Sequence, residues 1–179
     1  MSEDPSRSDM ELVAAYRQGS ESAATELVLR HGRALGRYLY AAGADPGEIE
    51  DLVQESFFKA FRALSGWRGE ASFRGWLFRI GANLRKDQYR RIGGRVTVPI
   101  EDHEIADVAD PEGEMGANDM EKRLREGLVS LPRLQREVFL LRAQQGMGYE
   151  EICAALGTTA GAARVHYHHA VKRLKDLMQ

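Results

Sequence analysis

A carboxylate-rich stretch at residues 96–119 most constrains how this chain can fold. It contains two prolines and no Lys or Arg, and its acidic residues are Glu101, Asp102, Glu104, Asp107, Asp110, Glu112, Glu114 and Asp119. A segment with so many like charges and so few large apolar side chains cannot bury enough surface to form a core. The sequence therefore predicts two domains, at residues 1–95 and 120–179, joined by a flexible acidic linker at 96–119.

The overall composition excludes several classes of protein. Of the 179 residues 43% are hydrophobic, and 25 Lys and Arg against 27 Asp and Glu give a net charge of −2, which excludes a uniformly basic nucleic-acid coat but not local basic patches. No apolar window approaches the ~18–20 residues that span a bilayer, and the polar start Met1–Pro5 is unlike a secretion signal. Cys153 is the single cysteine, so an internal disulfide is excluded. We expect a cytoplasmic protein with no membrane insertion.

Both segments show the apolar spacing of helices, and strand signals are weak throughout. The N-terminal segment reads as four helices, one of which starts at Asp45-Pro46-Gly47-Glu48, where Asp45 can accept free amide N–H groups. The C-terminal segment reads as three or four helices, the last two separated by a tight turn at Gly157, after which Thr158-Thr159 can cap the last helix. Helix, glycine turn and helix is the arrangement of a helix-turn-helix unit. We therefore predict an all-α fold with two small helical domains.

The predicted helix after Ser72 carries a cationic stripe. Arg79, Asn83, Lys86 and Arg90 are spaced by four, three and four residues, so they share one face, and residues 74–95 hold seven Arg or Lys against one Asp. Such a stripe can follow a phosphate backbone while the Asn amide bonds a base. Aromatic residues that can stack on unpaired bases stand close by: Trp67, Phe73, Trp76 and Phe78. In the alternative interpretation, which composition alone favours, the aromatics are core and the charges are a solvated face.

The last predicted helix has two different faces. Small and apolar residues recur at helical spacing on the packing face, at Ala163, Tyr167, Ala170 and Leu174. The opposite side carries cationic and imidazole side chains with one valine, at Arg164, Val165, His168, His169 and Lys172. In a helix-turn-helix unit the exposed side of the second helix enters the major groove, so these residues are candidates for reading base edges. A generic helical hairpin is the alternative.

The sequence singles out no catalytic or metal site. His166 and His169 stand three residues apart with Cys153 elsewhere in the segment, but no pair with the usual zinc spacing is present. The motifs of nucleotide-binding loops, nucleophile elbows and metalloproteases are absent too. We therefore expect no metal, no cofactor, no catalytic residue and a non-enzymatic role.

Two groups of motifs, in the right order, resemble a known family. Asp51-Leu52-Val53-Gln54-Glu55 and the run from Trp67 to Ile80 with Asn83 resemble region 2 of bacterial sigma factors. Segments further along resemble region 4: Leu131-Pro132, Gly148-Tyr149-Glu150-Glu151-Ile152, Leu156-Gly157 and Gly161. With two regions, a short linker and about 180 residues, the chain resembles an extracytoplasmic-function (ECF, group 4) sigma factor of the sigma-70 family.

The resemblance implies three sets of site residues. One set would bind core RNA polymerase, through Asp51, Gln54, Glu55 and Phe58. A second would recognise and help to melt the promoter −10 element, through Arg68, Gly69, Glu70, Ala71, Ser72, Trp76, Arg79, Asn83, Lys86 and Arg90. The third would read the −35 element, through Arg164, Val165, His168, His169 and Lys172.

The resemblance also implies partners: the β′ clamp helices and β flap of core RNA polymerase, promoter DNA, and a cognate anti-sigma factor that masks these surfaces. Two other functions stay open on the residues alone. A stand-alone helix-turn-helix regulator would bind duplex DNA as a dimer, without polymerase. A nucleic-acid-processing enzyme would show turnover with a divalent metal, for which the sequence offers no candidate ligands.

Overall fold

The structure is a computed structural model that describes residues 7–91, 93 and 115–178, with side chains of the last range described from 120 to 177. Every regular element within these residues is helical, which confirms the predicted all-α fold. The N-terminal lobe, residues 7–93, contains α1 (Asp9–Arg17), α2 (Glu21–Ala41), α3 (Ile49–Ala63) and α4 (Phe73–Arg91). Single 3-10 turns precede and follow α3, at Pro46–Glu48 and Leu64–Gly66.

The C-terminal lobe, residues 115–178, is also built of helices: α5 (Met115–Ser130), α6 (Arg133–Phe139), α7 (Tyr149–Leu156) and α8 (Ala160–Met178). α6 runs directly into one π-helical turn at Leu140–Gln144. α5 begins five residues before the boundary predicted at residue 120, because a glycine such as Gly116 costs a helix only ~1 kcal/mol and does not stop it. Residues 96–114 of the predicted linker lie outside the described residues.

Short polar side chains start several of these helices where the sequence predicts them. Ser72 Oγ accepts a hydrogen bond from the Gly75 amide at 3.0 Å, at the beginning of α4. Asp45 Oδ1 accepts one from the Gly47 amide at 2.8 Å, and the Thr159 hydroxyl caps α8 in the same way. Each bond satisfies an amide that has no partner inside its helix.

The core of the N-terminal lobe lies where α4 crosses α2 and α3. Large side chains of α2 and α4 are fully buried there, including Leu35, Leu39, Leu77 and Phe78, and α3 contributes the buried Phe57. The crossing is close at Gly81, where a Cβ atom would lie only 2.9 Å from Leu35 Cδ1 and 3.3 Å from Ser56 Oγ. This approach requires a residue without a side chain, and it fixes which face of α4 remains at the surface.

The C-terminal lobe buries the apolar faces of α6, α7 and α8 around Val138, Ile152 and Ala170. Gly157 ends α7 in the left-handed conformation, with φ +67°, which favours glycine because other residues clash there. α7, this turn and α8 form the predicted helix-turn-helix arrangement. The outward side of α8 is thereby left free of packing.

The two lobes pack against each other through α4 and α7. Arg85 Nη2 donates to Glu137 Oε1 at 2.5 Å, and these residues are only 7% and 4% exposed. Ser72 Oγ donates to Glu151 Oε1, and the Arg74 guanidinium lies 3.8 Å from the second Glu151 oxygen. We call these five side chains the lobe interface.

Candidate nucleic-acid interface

α3 turns an apolar face inward and a polar face outward. Leu52, Phe57 and Ala60 are buried, and the residues predicted to bind polymerase are exposed on the other side: Asp51, Gln54, Glu55 and Phe58. Phe58 is 59% exposed, with the Arg62 guanidinium 5.5 Å from its ring centroid. An exposed aromatic among carboxylates is typical of a protein-docking surface rather than of a nucleic-acid surface, because carboxylates repel phosphate.

The loop of residues 68–72 connects the turn after α3 to α4. Arg68, Glu70 and Ser72 are exposed, whereas Gly69 and Ala71 are partly buried. All five of these predicted −10 residues precede α4, and the first four have surface available to a base. Ser72 differs, because its hydroxyl both caps α4 and donates to Glu151 of the other lobe.

The aromatic residues around this loop form a cluster that is mostly core. Phe73 and Phe78 are fully buried and Trp67 is 8% exposed, so the expectation that they stack on bases is wrong for these three. The rings of Trp67 and Trp76 stack with centroids 5.9 Å apart, and Trp67 meets the edge of Phe73 at 6.2 Å. The hydrophobic effect explains this burial, because the free energy gained by removing an aromatic ring from water exceeds that of a stacking contact at the surface. Of the four, only Trp76 is partly accessible.

The predicted cationic stripe lies on the surface of α4. Arg79, Asn83 and Arg90 are exposed and Lys86 is partly buried, while Leu77 and Leu84 on the opposite side are in the core. The stripe begins near the 68–72 loop and runs along the helix axis for about 16 Å, since each residue rises 1.5 Å. It therefore offers cations and one amide along a line, as a single-stranded phosphate backbone requires.

The predicted base-reading residues of α8 all lie on its outward face. Arg164, Val165, His168, His169 and Lys172 are exposed, and Ala163, Ala170 and Leu174 on the other side are buried. The Arg164 guanidinium lies 5.1 Å from the Tyr149 ring centroid, and Arg142 lies at the same distance from that ring. This cation–π contact restrains the Arg164 guanidinium at the surface of α8.

Four of the five residues of the lobe interface are not among the site residues that the sequence predicts: Arg74, Arg85, Glu137 and Glu151. Arg85 belongs to the cationic helix, yet it is buried against Glu137 of α6 rather than turned to solvent. No local sequence pattern predicts this ion pair, since the two residues are 52 positions apart. Glu151 did carry a signal: it stands three residues after Gly148, whose amide donates to Glu151 Oε2 at 3.0 Å.

Burial also changes the acidity of groups beside the lobe interface. Burial raises the pKa of the Tyr38 phenol far above its ordinary value, and the negative charge of Glu137 adds to this effect. Burial lowers the pKa of the Arg136 guanidinium, and the positive charge of Arg85 acts in the same direction. Glu137 is thus a buried anion that interacts with cations from both lobes. One of them is Arg133, whose Nε lies 3.7 Å from Glu137 Oε1.

The part of the chain that the structure describes contains neither a candidate metal site nor a candidate membrane-spanning helix. Within the ranges that the structure describes, no three His, Cys, Asp or Glu residues are grouped as metal binding would require. None of the described helices combines the length and the apolar character needed to cross a membrane.

Family models match both lobes. The model for Sigma-70 region 2 matches residues 27–95, and the model for Sigma-70, region 4 matches residues 121–174. Both matches fall on the helices that carry the surfaces described above, and α1 lies before the first of them.

Complete relatives give the same result. The chain is 35% identical over 176 residues to the RNA polymerase sigma factor NccH of Alcaligenes xylosoxydans xylosoxydans, covering 96% of this chain and 95% of that protein. It is 30% identical to the ECF RNA polymerase sigma-E factor of Haemophilus influenzae, covering 96% and 95%.

Solved structures share the fold. CnrH, determined in complex with the cytosolic domain of CnrY, superposes with a TM-score of 0.73 at 30% identity over 95% of this chain and 96% of that chain. The sigma factor RpoE of Bartonella quintana, in complex with the anti-sigma factor NepR, has the same fold, with a TM-score of 0.70 at 24% identity over 86% and 95% of the two chains. The chain therefore belongs to the sigma-70 family of RNA polymerase sigma factors, in its ECF group.

Proposed function

We propose that this chain binds core RNA polymerase and directs initiation at promoters whose −10 and −35 elements it recognises through separate lobes. The observation that carries the proposal is the presence, in one sigma-family chain, of two outward cationic helix faces on different lobes. A single duplex-binding regulator needs only one such face together with a dimer contact. The chain itself needs no catalytic step, because the polymerase performs the chemistry.

The −10 element is assigned to the N-terminal lobe. The exposed part of the 68–72 loop holds an unstacked base, and Trp76 is placed to stack beside it. The stripe of Arg79, Asn83, Lys86 and Arg90 then binds the non-template strand, with Asn83 bonding a base and the cations bonding phosphates.

The −35 element is assigned to α8. Its exposed face enters the major groove, where Arg164 bonds a guanine edge or a phosphate and Val165, 53% exposed, contacts a thymine methyl group. His168, His169 and Lys172 continue along the same face toward the flanking backbone.

Core polymerase is assigned to the outward face of α3. Asp51, Gln54, Glu55 and Phe58 present carboxylates, an amide and an exposed ring, which suit the β′ clamp helices, and the C-terminal lobe is assigned to the β flap. RpoE, which shares the fold, was determined with an anti-sigma factor bound. We expect an anti-sigma factor to mask the same surfaces here, and we place the protein in the cytoplasm, where RNA polymerase acts.

Run-off transcription tests this function. Core polymerase with the purified chain should yield a discrete transcript from a promoter upstream of the chain's own operon, and core polymerase alone should not. Asn83→Ala should weaken recognition of the −10 element and leave core binding intact. Tight, specific duplex binding by the chain alone, without any polymerase-dependent transcript, would instead identify a stand-alone regulator.

A further inference from the structure

α1 lies outside the part of the chain that the family models match, yet it contacts the segment that leads into the 68–72 loop. Arg17, the last residue of α1, donates through Nη2 to the carbonyl oxygens of Leu64 at 2.6 Å and Trp67 at 2.5 Å. Its guanidinium also lies 6.0 Å from the centroid of the Trp67 ring. One side chain thus fixes both ends of the short turn that follows α3.

The Trp67 carbonyl lies just beyond the single 3-10 turn Leu64–Gly66, where a carbonyl lacks an intrahelical donor. The Leu64 carbonyl accepts the Trp67 amide at 3.2 Å, and Arg17 adds a second hydrogen bond to it. A hydrogen bond from a guanidinium to such a carbonyl is charge-assisted and stronger than one between neutral groups. Arg17 therefore defines the path by which the chain leaves α3 and enters the loop.

The other end of α1 contacts the loop itself. Gly69 has a φ of +75°, and a Cβ atom at this position would lie 3.4 Å from Met10 Cε. Met10 is otherwise 58% exposed, so its side chain covers the loop backbone from outside. α1 accordingly contacts the loop segment at two places, one near each end of the helix.

α1 is firmly held while it does so. Leu12 and Val13 are buried against α2, and the Asp9 carboxylate binds His31 Nε2 at 2.7 Å and Arg30 Nη1 at 2.9 Å. Burial opposes ionisation of Asp9, but its hydrogen bond to His31 and the neighbouring charges hold its pKa below the ordinary value. The His31 ring in turn lies 5.9 Å from the ring of Phe73, the first residue of α4.

We propose that α1 positions the 68–72 loop for recognition of the −10 element, and that Arg17 is its principal positioning residue. The inference rests on the proposed function of the loop and adds a residue that no motif assigned. By holding the carbonyl groups of Leu64 and Trp67, Arg17 restricts the loop before a base arrives. Less conformational entropy is then lost on binding, so affinity for the correct base is higher.

The test uses the complete chain with core polymerase. Its probe is a single-stranded non-template oligonucleotide from a promoter on which the wild-type holoenzyme gives a run-off transcript, paired with the same oligonucleotide substituted in the −10 element. Arg17→Ala should weaken binding of the correct oligonucleotide by about tenfold and reduce discrimination against the substituted one, with core affinity unchanged. Arg33→Ala, which removes an exposed cation of α2, is the matched control and should leave discrimination unchanged.

Two further readouts separate positioning from a direct phosphate contact. The chain contains only two tryptophans, Trp67 and Trp76, so its fluorescence reports on this cluster and should change in Arg17→Ala. Arg17→Lys keeps the charge but lacks the planar fork, and it should restore discrimination only in part. Full rescue by Lys, together with unchanged fluorescence and a salt dependence of binding lowered by about one ion in Arg17→Ala, would show a phosphate contact and overturn the proposal.

Met10→Ala provides a second route, because the exposed Met10 side chain can be shortened with little effect on folding. It should also reduce discrimination, by a smaller factor than Arg17→Ala. If Arg17→Ala lowers the melting temperature so far that the variant cannot be assayed, the Met10→Ala variant tests the proposal instead. Wild-type discrimination between the two oligonucleotides by Met10→Ala would then refute the role of α1. A wild-type holoenzyme that gives no promoter-dependent transcript would contradict the proposed function itself, independently of α1.

Discussion

Glu137 is the residue on which the contact between the lobes most depends. It is an almost fully buried carboxylate, and Arg85 from the other lobe approaches it to 2.5 Å. A buried ion pair contributes little compared with apolar packing of the same volume, but loss of one partner leaves the other charge buried without compensation. The two residues are therefore sensitive to single substitutions and tolerant of a joint one.

We expect Glu137→Ala to lower the free energy of unfolding by about 3–5 kcal/mol, measured by urea denaturation. Glu121→Ala is the matched control, because Glu121 pairs with Arg125 at 3.2 Å on an exposed surface, and its removal should change stability by no more than about 0.5 kcal/mol. Similar losses in the two variants would show that the interface pair is not energetically special.

Arg164 is the residue of α8 that we propose to bond a guanine edge or a phosphate. Arg164→Ala should weaken holoenzyme binding to the −35 element by about 1–3 kcal/mol and relax the preference at a single base pair, measured with a set of singly substituted promoter duplexes. Lys175→Ala, which removes an exposed cation further along α8, should weaken binding to all duplexes alike and by less. A uniform loss in Arg164→Ala would mean that the side chain binds phosphate.

Among the elements, α4 has the most functions, because three sides of it are in use. One side is core, one presents the stripe around Asn83, and the third contributes Arg74 and Arg85 to the lobe interface, next to Ser72, which caps the helix. Its placement depends on the close crossing at Gly81, where α2 and α3 approach the helix backbone. A shift of α4 would therefore disturb the DNA surface and the lobe interface together.

Alanine substitution of two helical glycines tests this crossing. Gly81→Ala should lower the free energy of unfolding by about 1–3 kcal/mol, because the new methyl group would lie 2.9 Å from Leu35 Cδ1. Gly161→Ala in α8 has no atom within 4 Å of the added Cβ, so better helix propensity should raise stability by about 0.5–1 kcal/mol. Thermal melting of both variants measures the difference, and equal effects would exclude close packing at Gly81 as the cause.

Local sequence patterns predicted the elements better than the surfaces between them. The starts at Asp45, Ser72 and Thr159 depend on hydrogen bonds to amides two or three residues away, which the sequence shows directly. The burial of Trp67 and Phe73 depends on how α1, α2 and α4 meet, and the burial of Arg85 depends on its contact with Glu137 of α6. Periodicity within one helix cannot distinguish an arginine that faces solvent from one that is buried in an ion pair with a carboxylate far away in the sequence.

For the whole molecule, the arrangement of the lobes conflicts with simultaneous recognition of both promoter elements. The −10 and −35 positions are about 25 base pairs apart, or about 85 Å along B-form DNA. A compact chain of this length has a radius of gyration of about 16 Å, so its two DNA faces cannot reach that far while α4 and α7 remain in contact. If α4 and α8 read these two elements as proposed, the lobes must separate before both are bound.

A disulfide across the lobe interface tests this requirement. A Cβ atom on Gly75 would lie 3.6 Å from Glu151 Cβ, which is within the range that a disulfide bridges. With Cys153→Ser removing the native thiol, the variant Gly75→Cys/Glu151→Cys should lose run-off transcription when oxidised and recover it in reductant. Each single-cysteine variant controls for the substitutions. Full transcription by the oxidised double variant would show that the lobes need not part.

Glu151 has contacts in both lobes, and separation of the lobes would break only those to the N-terminal lobe. Its Oε1 atom accepts the bond from Ser72, whereas Oε2 accepts the bond from the Gly148 amide within its own lobe. When the lobes part, Glu151 loses the Ser72 bond and the Arg74 contact, and the beginning of α7 keeps its partner. We therefore expect the lobes to part without unfolding at the start of α7, so that α8 would meet its proposed DNA target as an already formed helix.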